Sequence, residues 1–405
     1  MSDTVLLGER PAHVPEHLVV DFDFVGETRN GARWQAGTAE VFNRHGPIIW
    51  TPHSGGYWLI GGYEELLDMA QDPVTFSSDN TKYPPESMYP RNLPFFTDAP
   101  DHPHYRAPVV AAMTPGLINS MKAGIRDLAR SLVAGFAADG RCDMVSQYTE
   151  ILPISVVLDL LGLPTNQIRE WRSLMPAILN SPTAEGREVV KRKIRDIVRP
   201  FIAERRLERK NDMISVLLDS RFEDRPFTDD ELTIYVASMF TAGLDTVTNS
   251  MSFAIHDMAK NQELQAQLRA DPGLIPLAIE EFLRRYSIVT FRRYVMQDVE
   301  FHGVTMKKYD RVAYVTAAGN LDPRVFANPL DIDLDRADPP HLAFLAGPHR
   351  CAGSHLARAE MTIAYEELLK GLPQFRLDPD VMVEPVTGWT FGLPRLPLVW
   401  APAGK

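Results

Sequence analysis

The stretch TDDELTIYVASMFTAGLDTVTNSMSFAIHDMAKN, beginning at Thr228, constrains the fold more than any other. Thr228 and Glu231 stand at capping-box spacing, and Asp229 and Asp230 put negative charge where a helix dipole favours it. Its middle is apolar nearly all round, which marks a helix running through a core rather than along a surface. From about Pro103 to Tyr286 the neighbouring pattern is also almost wholly helical, with a break near Gly273. Enclosing such a helix takes a large chain, and 405 residues, 45% hydrophobic and 23% charged, provide one. No Gly/Ser linker, low-complexity block or fixed-period repeat divides it, so one domain over residues 1–405 is expected.

The flanks carry smaller β elements. IIWTPHSGGYWLIGG reads as a hairpin with its turn at Ser54, Gly55 and Gly56. The prolines at 84, 85, 90 and 94 exclude regular structure over residues 81–95, a length typical of a binding loop or lid. RRYVMQDVEFHGVTMKKYDRVAYVTA alternates like short antiparallel strands with His-Gly and Lys-Tyr-Asp turns, and GWTFGLPRLPLVW reads as a closing aromatic hairpin.

Several function classes fall away. Two cysteines exclude a disulfide framework, and Cys142 reads as a small buried hydrophobe. The start has no basic segment followed by an apolar run, and no stretch reaches about 18 consecutive apolar residues, so a cytoplasmic protein without a membrane span is expected. A net charge of -11 argues against a nucleic-acid partner.

Four constellations can carry chemistry. Within the long helix stand Gly243, Asp245 and Thr246. Thr246 could simply bond back to the carbonyl four residues earlier, and Asp245 could pair with a distant base. Glycine mid-helix, however, costs about 1 kcal/mol relative to alanine and suits a place where something approaches the backbone closely. In AIEEFLRRYS, Glu281 and Arg284 lie one turn apart; surface pairs Glu280 to Arg284 and Glu281 to Arg285 are the plainer reading. His102 and Arg106, four apart at a helix start, could hold an anion or merely be solvated. The fourth is Cys351 in FLAGPHRCAG, where Gly347, Pro348 and Gly353 permit sharp turns and the following SHLARAEMTIAYEELL is helical by period. A helix N-terminus, His349 and Arg350, or a metal would each favour thiolate. Three readings stand: an inert thiol, a Cys/His nucleophile, and a thiolate ligand. With no CxxC partner for zinc, a lone thiolate suits an iron that already has four ligands, as in haem.

Taken together, Phe344-x-x-Gly347-x-His349-x-Cys351-x-Gly353, Ala242-Gly243-Leu244-Asp245-Thr246 and Glu281-x-x-Arg284 resemble the cytochrome P-450 haem-thiolate monooxygenases in order and spacing. Similarity to the bacterial camphor-hydroxylase class extends through HVPEHLVVDFDF, TFSSDN, EEFLRRYS, FHGVTMKKYD, GSHLARAE and LPLVW, essentially the whole chain. The resemblance implies a mainly α fold with a smaller β part, a single triangular domain with haem b between the long central helix and the cysteine loop. It implies Cys351 as the axial thiolate of the iron, with Phe344 beside it, and Arg106, Arg293, His349 and His102 meeting the two propionates. By the same resemblance Gly243 makes room for O2, Thr246 holds an ordered water, and Asp245 relays protons. Glu281 and Arg284 become an inward structural pair. Tyr89, Leu244, Val247, Val289, Phe291, Trp389 and Thr390 align with the pocket wall, suiting a compact terpenoid or norisoprenoid.

Electrons are expected from NADH through a flavoprotein reductase and a [2Fe–2S] ferredoxin, which would dock on a monomer where Arg106, Arg350 and Arg358 form a positive proximal patch. Departures accompany the resemblance. The camphor enzyme's substrate-binding tyrosine falls near Pro90, Phe291 replaces an aspartate near a propionate, and Leu345 replaces the loop's usual second glycine. Pro103 and Asp338 stand where that class has basic residues flanking the patch. Rival readings are a peroxide-using peroxygenase of the same fold, against which Asp245 with Thr246 argues, and a haem-free Cys351/His349 enzyme or terpenoid-binding protein.

Overall fold

Thr228 does cap a single helix, Asp229–Lys260: its hydroxyl accepts from the Glu231 amide at 3.2 Å while the Glu231 carboxylate accepts from the Thr228 amide at 2.8 Å. Such reciprocal capping contributes about 1 kcal/mol and sets where the helix begins. This is a computed structural model, and it describes residues 7–26, 34–82, 92–165, 184–336 and 340–401.

In chain order the helices are α1 (Gln35–His45), α2 (Tyr63–Gln71), α3 (Asp101–Ala112), α4 (Pro115–Phe136), α5 (Ile151–Leu161) and α6 (Ala184–Leu207). They continue with α7 (Met213–Asp219), α8 (Asp229–Lys260), α9 (Gln262–Ala270), α10 (Ile275–Arg285), α11 (Thr316–Gly319) and α12 (Ser354–Gly371). The helical run breaks at a 3-10 turn, Pro272–Leu274, where the sequence placed it. α8 packs against α5 and α6 on one side and reaches α9, α10 and α12 on the other, so its apolar circumference is used nearly all round.

A five-stranded sheet of β1 (Ile48–Thr51), β2 (Tyr57–Ile60), β3 (Phe76–Ser77), β7 (Thr290–Val295) and β10 (Arg311–Val315) runs in the order β1-β2-β10-β7-β3. β1 and β2 form the expected hairpin, with Ser54, Gly55 and Gly56 all at positive φ in its turn. Register decides which face carries which residue: Val312 pairs with Trp58 and with Arg293, so these three share one face while Arg292 points to the other. Between β7 and β10 lies the hairpin of β8 (Val299–Phe301) and β9 (Val304–Met306), turned at His302 and Gly303 as the His-Gly signal indicated.

The closing hairpin is a correction. The last strand, β12 (Pro397–Trp400), lies between β11 (Phe375–Leu377) and β4 (Arg141–Asp143) instead of pairing with the preceding segment. That segment folds on itself through a Val386–Gly392 bridge and meets the residue just before β7 through a Val289–Thr390 bridge. β4, three residues long, is too short for periodicity to have shown it, and its Asp143 carboxylate fixes the new register by accepting from the Leu396 amide at 2.8 Å. A further small ribbon joins β5 (Arg221–Phe222) to β6 (Arg225–Pro226). Among the described residues no helix is long and apolar enough to cross a membrane.

Candidate functional site

The segment before α12 is bent by two left-handed residues. Gly347 (φ 66°) passes so close to α2 that a Cβ there would overlap the carbonyl of Ala70. Leu345 (φ 59°) adopts a conformation that ordinarily costs a non-glycine residue about 1–2 kcal/mol. Its side chain is buried beside Leu342, Met69 and Ala70, which offsets that cost and accounts for leucine where the resemblance expects glycine. The Cys351 amide then donates to Phe344 O at 2.8 Å, closing the loop on itself.

Cys351 keeps accessible surface, yet enough protein surrounds the sulfur that burial pushes its thiol pKa up. The Gly353 amide, donating to the sulfur, and the Arg106, Arg350 and Arg358 guanidiniums act in the opposite direction. Burial wins, so these side chains alone leave a thiol, and ionising it is a metal's work. His349 does not help. Its ring lies against His102, 4.2 Å between centroids, with Nε2 4.0 Å from Asp98 Oδ1, and it shares no hydrogen bond with Cys351 among the described residues. The Cys/His nucleophile therefore lacks its base.

Around this loop gather the four anion-binding candidates. Arg106, on α3, donates to Arg350 O, and Arg293, on β7, donates to Arg292 O at 2.9 Å. Burial lowers both guanidinium pKa values, that of Arg293 to about 10. Burial likewise lowers His102 to about 4, helped by Arg106 and Arg293, and holds His349 far below the usual imidazole range, helped by Arg293, His102 and Arg106. Asp98 is the carboxylate within their reach, but it already accepts from Ser77, the Ser78 amide and Lys82. His349 Nε2 is buried without a hydrogen-bond partner. The buried Arg293 and half-buried Arg106, beside two imidazoles held neutral and the unpartnered His349 Nε2, make a site suited to anions, and two haem propionates beside a cysteine ligand fit it.

On α8, Gly243 packs against α5: a Cβ there would stand 2.5 Å from Val157 Cγ2. Thr246 Oγ1 donates back to Ala242 O at 3.0 Å, the local bond foreseen for it. Asp245 pairs with no described base; Asn249 Nδ2 donates to its Oδ1 at 2.8 Å, a partner that its spacing of four could have signalled. Burial raises the Asp245 pKa and Asn249 lowers it.

Glu281 and Arg284 are not surface pairs. Their side chains are 1% and 0% exposed, joined by two hydrogen bonds of 2.8 and 2.9 Å. Arg284 also donates to the carbonyls of Asn320, Pro329 and Asp331, and Glu281 accepts from Arg336 and the Asp333 amide. Glu280 turns the other way and holds Arg358 through bonds of 2.6 and 2.7 Å, so Arg358 is not a free cation of the proximal patch. The same guanidinium lies 4.6 Å above the Phe344 ring, fixing that residue beside the loop.

Of the pocket candidates, Val247, Val289, Phe291, Trp389 and Thr390 are half-buried, each with accessible surface left. Leu244 departs from them: only 2% exposed, it packs in the core cluster of Val157, Phe240 and Leu158. Tyr89 lies outside the described residues.

The comparisons agree on one family. The cytochrome P450 family profile matches residues 154–272 and 274–401. A probable cytochrome P450 127A1 of Sinorhizobium fredii is 30% identical over 96% of this chain and 97% of its own length. The steroid C26-monooxygenase of Mycobacterium tuberculosis is 28% identical over 93% of this chain and 94% of its own. The solved structure of CYP101J2 superposes with a TM-score of 0.90 at 30% identity, covering 97% of this chain and all of that one, and CYP101C1 gives 0.89 at 31% over the same shares. With the cysteine loop, the anion receptor and the capped central helix in place, these findings show that this chain belongs to the cytochrome P450 family, as a hydroxylating monooxygenase that binds haem b.

Proposed function

We propose that this protein inserts one oxygen atom of O2 into an unactivated C–H bond of a small apolar substrate, a terpenoid or norisoprenoid. The observation that supports this reading is that Val247, Val289, Phe291 and Trp389, apolar positions that match the family's pocket wall, all keep accessible surface, with Val289 bridged to the half-buried Thr390. Haem held by Cys351 supplies the activation of O2. Arg106, Arg293, His102 and His349 hold the propionates. Asp245 carries protons inward and Thr246 orients a water, its hydroxyl being freed from Ala242 O when it does so. Electrons come from NADH through a reductase and a [2Fe–2S] ferredoxin. With Arg358 tied to Glu280, that partner meets Arg350 and the half-buried Arg106, with the exposed Val110 one turn beyond Arg106 on α3. The same reading takes residues 1–405 as one cytoplasmic, monomeric unit.

Two measurements test it. The reduced protein with carbon monoxide should give the red-shifted Soret band of thiolate-ligated haem; that band surviving in Cys351→Ala would overturn the ligand. A terpenoid and norisoprenoid panel should yield compounds that turn the iron high-spin and are recovered hydroxylated. If larger steroids or macrolides do so and small terpenoids do not, the substrate class is wrong.

A further inference from the structure

Along α8 three hydroxyls spend their hydrogen bonds locally: Thr246 on Ala242 O, Thr248 on Leu244 O and Ser252 on Thr248 O, at 3.0, 2.8 and 2.7 Å. Asn249 instead spans one helical turn to the Asp245 carboxylate. Its amide has little freedom. Asn249 is 6% exposed, and a Cβ on Gly392 would stand 2.7 Å from its Oδ1. Gly392 is itself fixed by a pair of backbone bonds with Val386, 2.8 and 3.1 Å long. A clamped turn thus holds Asn249, and Asn249 holds one oxygen of Asp245. The other oxygen, Oδ2, accepts no hydrogen bond among the described residues.

Among the described residues the charges around Asp245 are sparse. Of the elements packed on α8, which are α5 and the turn before it, α6, α7, α9, α10, α12 and β11, the ionisable group that the described residues present to Asp245 is the like-charged Glu150, from the turn before α5. No described cation pairs with the carboxylate. Among the described residues the Asn249 amide is the donor on which this carboxylate depends both for orientation and for its balance between protonated and ionised forms.

We propose that Asn249 is a positioning residue for Asp245: clamped by Gly392, it fixes Oδ1 and leaves Oδ2 as the oxygen that takes up and passes on protons. The proposal rests on the proton relay assigned to Asp245 above. Asn249→Leu keeps size and burial while removing the donor, and Glu150→Gln removes the opposing charge. The readout is the carboxyl stretch of Asp245 in the holoenzyme, followed against pH by difference infrared spectroscopy with Asp245→Asn as the blank. A parallel readout is the pH profile of hydroxylated product against hydrogen peroxide released.

Asn249→Leu should move the Asp245 titration upward by about one pH unit and carry the product profile with it. Glu150→Gln should move both downward. Gly392→Ala, which leaves Asn249 in place but displaces its amide, should shift them in the same sense as Asn249→Leu and serves if that variant does not fold. An Asp245 titration that stays put in folded Asn249→Leu or Gly392→Ala overturns the proposal. The relay fails on a separate result, unchanged product yield in Asp245→Asn, whereas the infrared shift reports the hold of Asn249 whatever that yield.

Discussion

Two buried arginines of this protein have opposite surroundings. All five N–H groups of Arg284 are answered, by the two oxygens of Glu281 and the carbonyls of Asn320, Pro329 and Asp331. Arg293 donates to the carbonyl of its neighbour Arg292 and otherwise stands near His102 and His349, whose affinity for protons it lowers together with Arg106. The first arrangement is complete within the chain. The second leaves His349 Nε2 buried without a partner, and under the proposed function haem propionates complete it. Burial of a charge therefore does not separate a structural residue from a binding one; the completeness of its hydrogen bonding does.

The largest test of this contrast is Arg284→Ala, which takes two of the donors from the buried Glu281 carboxylate, leaving it Arg336 and the Asp333 amide, and strands three carbonyls. A loss of about 3–5 kcal/mol is expected, read as a lower urea midpoint of unfolding. An unchanged midpoint would erase the distinction between the two arginines.

Glu360 sharpens it with a third case, an acid whose buried Oε1 has no hydrogen-bond partner among the described residues. Buried on α12 with Oε1 unbonded, it has its pKa raised from 4.5 to about 8. The folded protein thus keeps a proton that the unfolded chain has released, and stability falls as pH rises from about 4.5 to about 8. Glu360→Gln should abolish that slope and stabilise the protein at pH 8 by a few kcal/mol, on the order of 3. Unfolding midpoints measured at pH 5 and pH 8 decide the matter.

A smaller effect, with opposite signs in two assays, is expected of Arg293→Met. Removing a charge whose burial is unfavourable should leave the haem-free protein as stable or firmer by about 1–2 kcal/mol, while haem passes faster to an acceptor apoprotein. If both stability and haem retention fell, Arg293 would belong with Arg284. Least of all should Leu345→Gly matter. It relieves about 1–2 kcal/mol of left-handed strain and forfeits about 1.5–3 kcal/mol of apolar burial, so a net loss near 1 kcal/mol in thermal unfolding is expected.

Much of the site was legible because its signals are local. The capping box of Thr228 and Glu231, the break at Gly273 and the left-handed turn at Ser54 to Gly56 depend on residues within a few positions of each other, and all lie where the sequence put them. What escaped depends on distant neighbours. Glu280 chooses Arg358, 78 positions on, over Arg284 one turn away. Gly243 answers to Val157, and Leu244 sinks into the same cluster rather than facing the pocket. β12 takes its partners from β4 and β11, a choice that no turn signal near the C-terminus encodes.

By itself, then, the sequence determined that a capped apolar helix would cross the core and that a lone cysteine would stand just ahead of another helix. Backbone periodicity, caps and glycine turns are written in consecutive residues. Tertiary structure alone decided what those elements are for. It gathers Arg106 and His102 from α3, Arg293 from β7 and His349 from the cysteine loop into one buried receptor, and it raises the thiol pKa of Cys351 by surrounding the sulfur with protein. Burial and charge repulsion act through space, so they exist only once segments far apart in the chain have met.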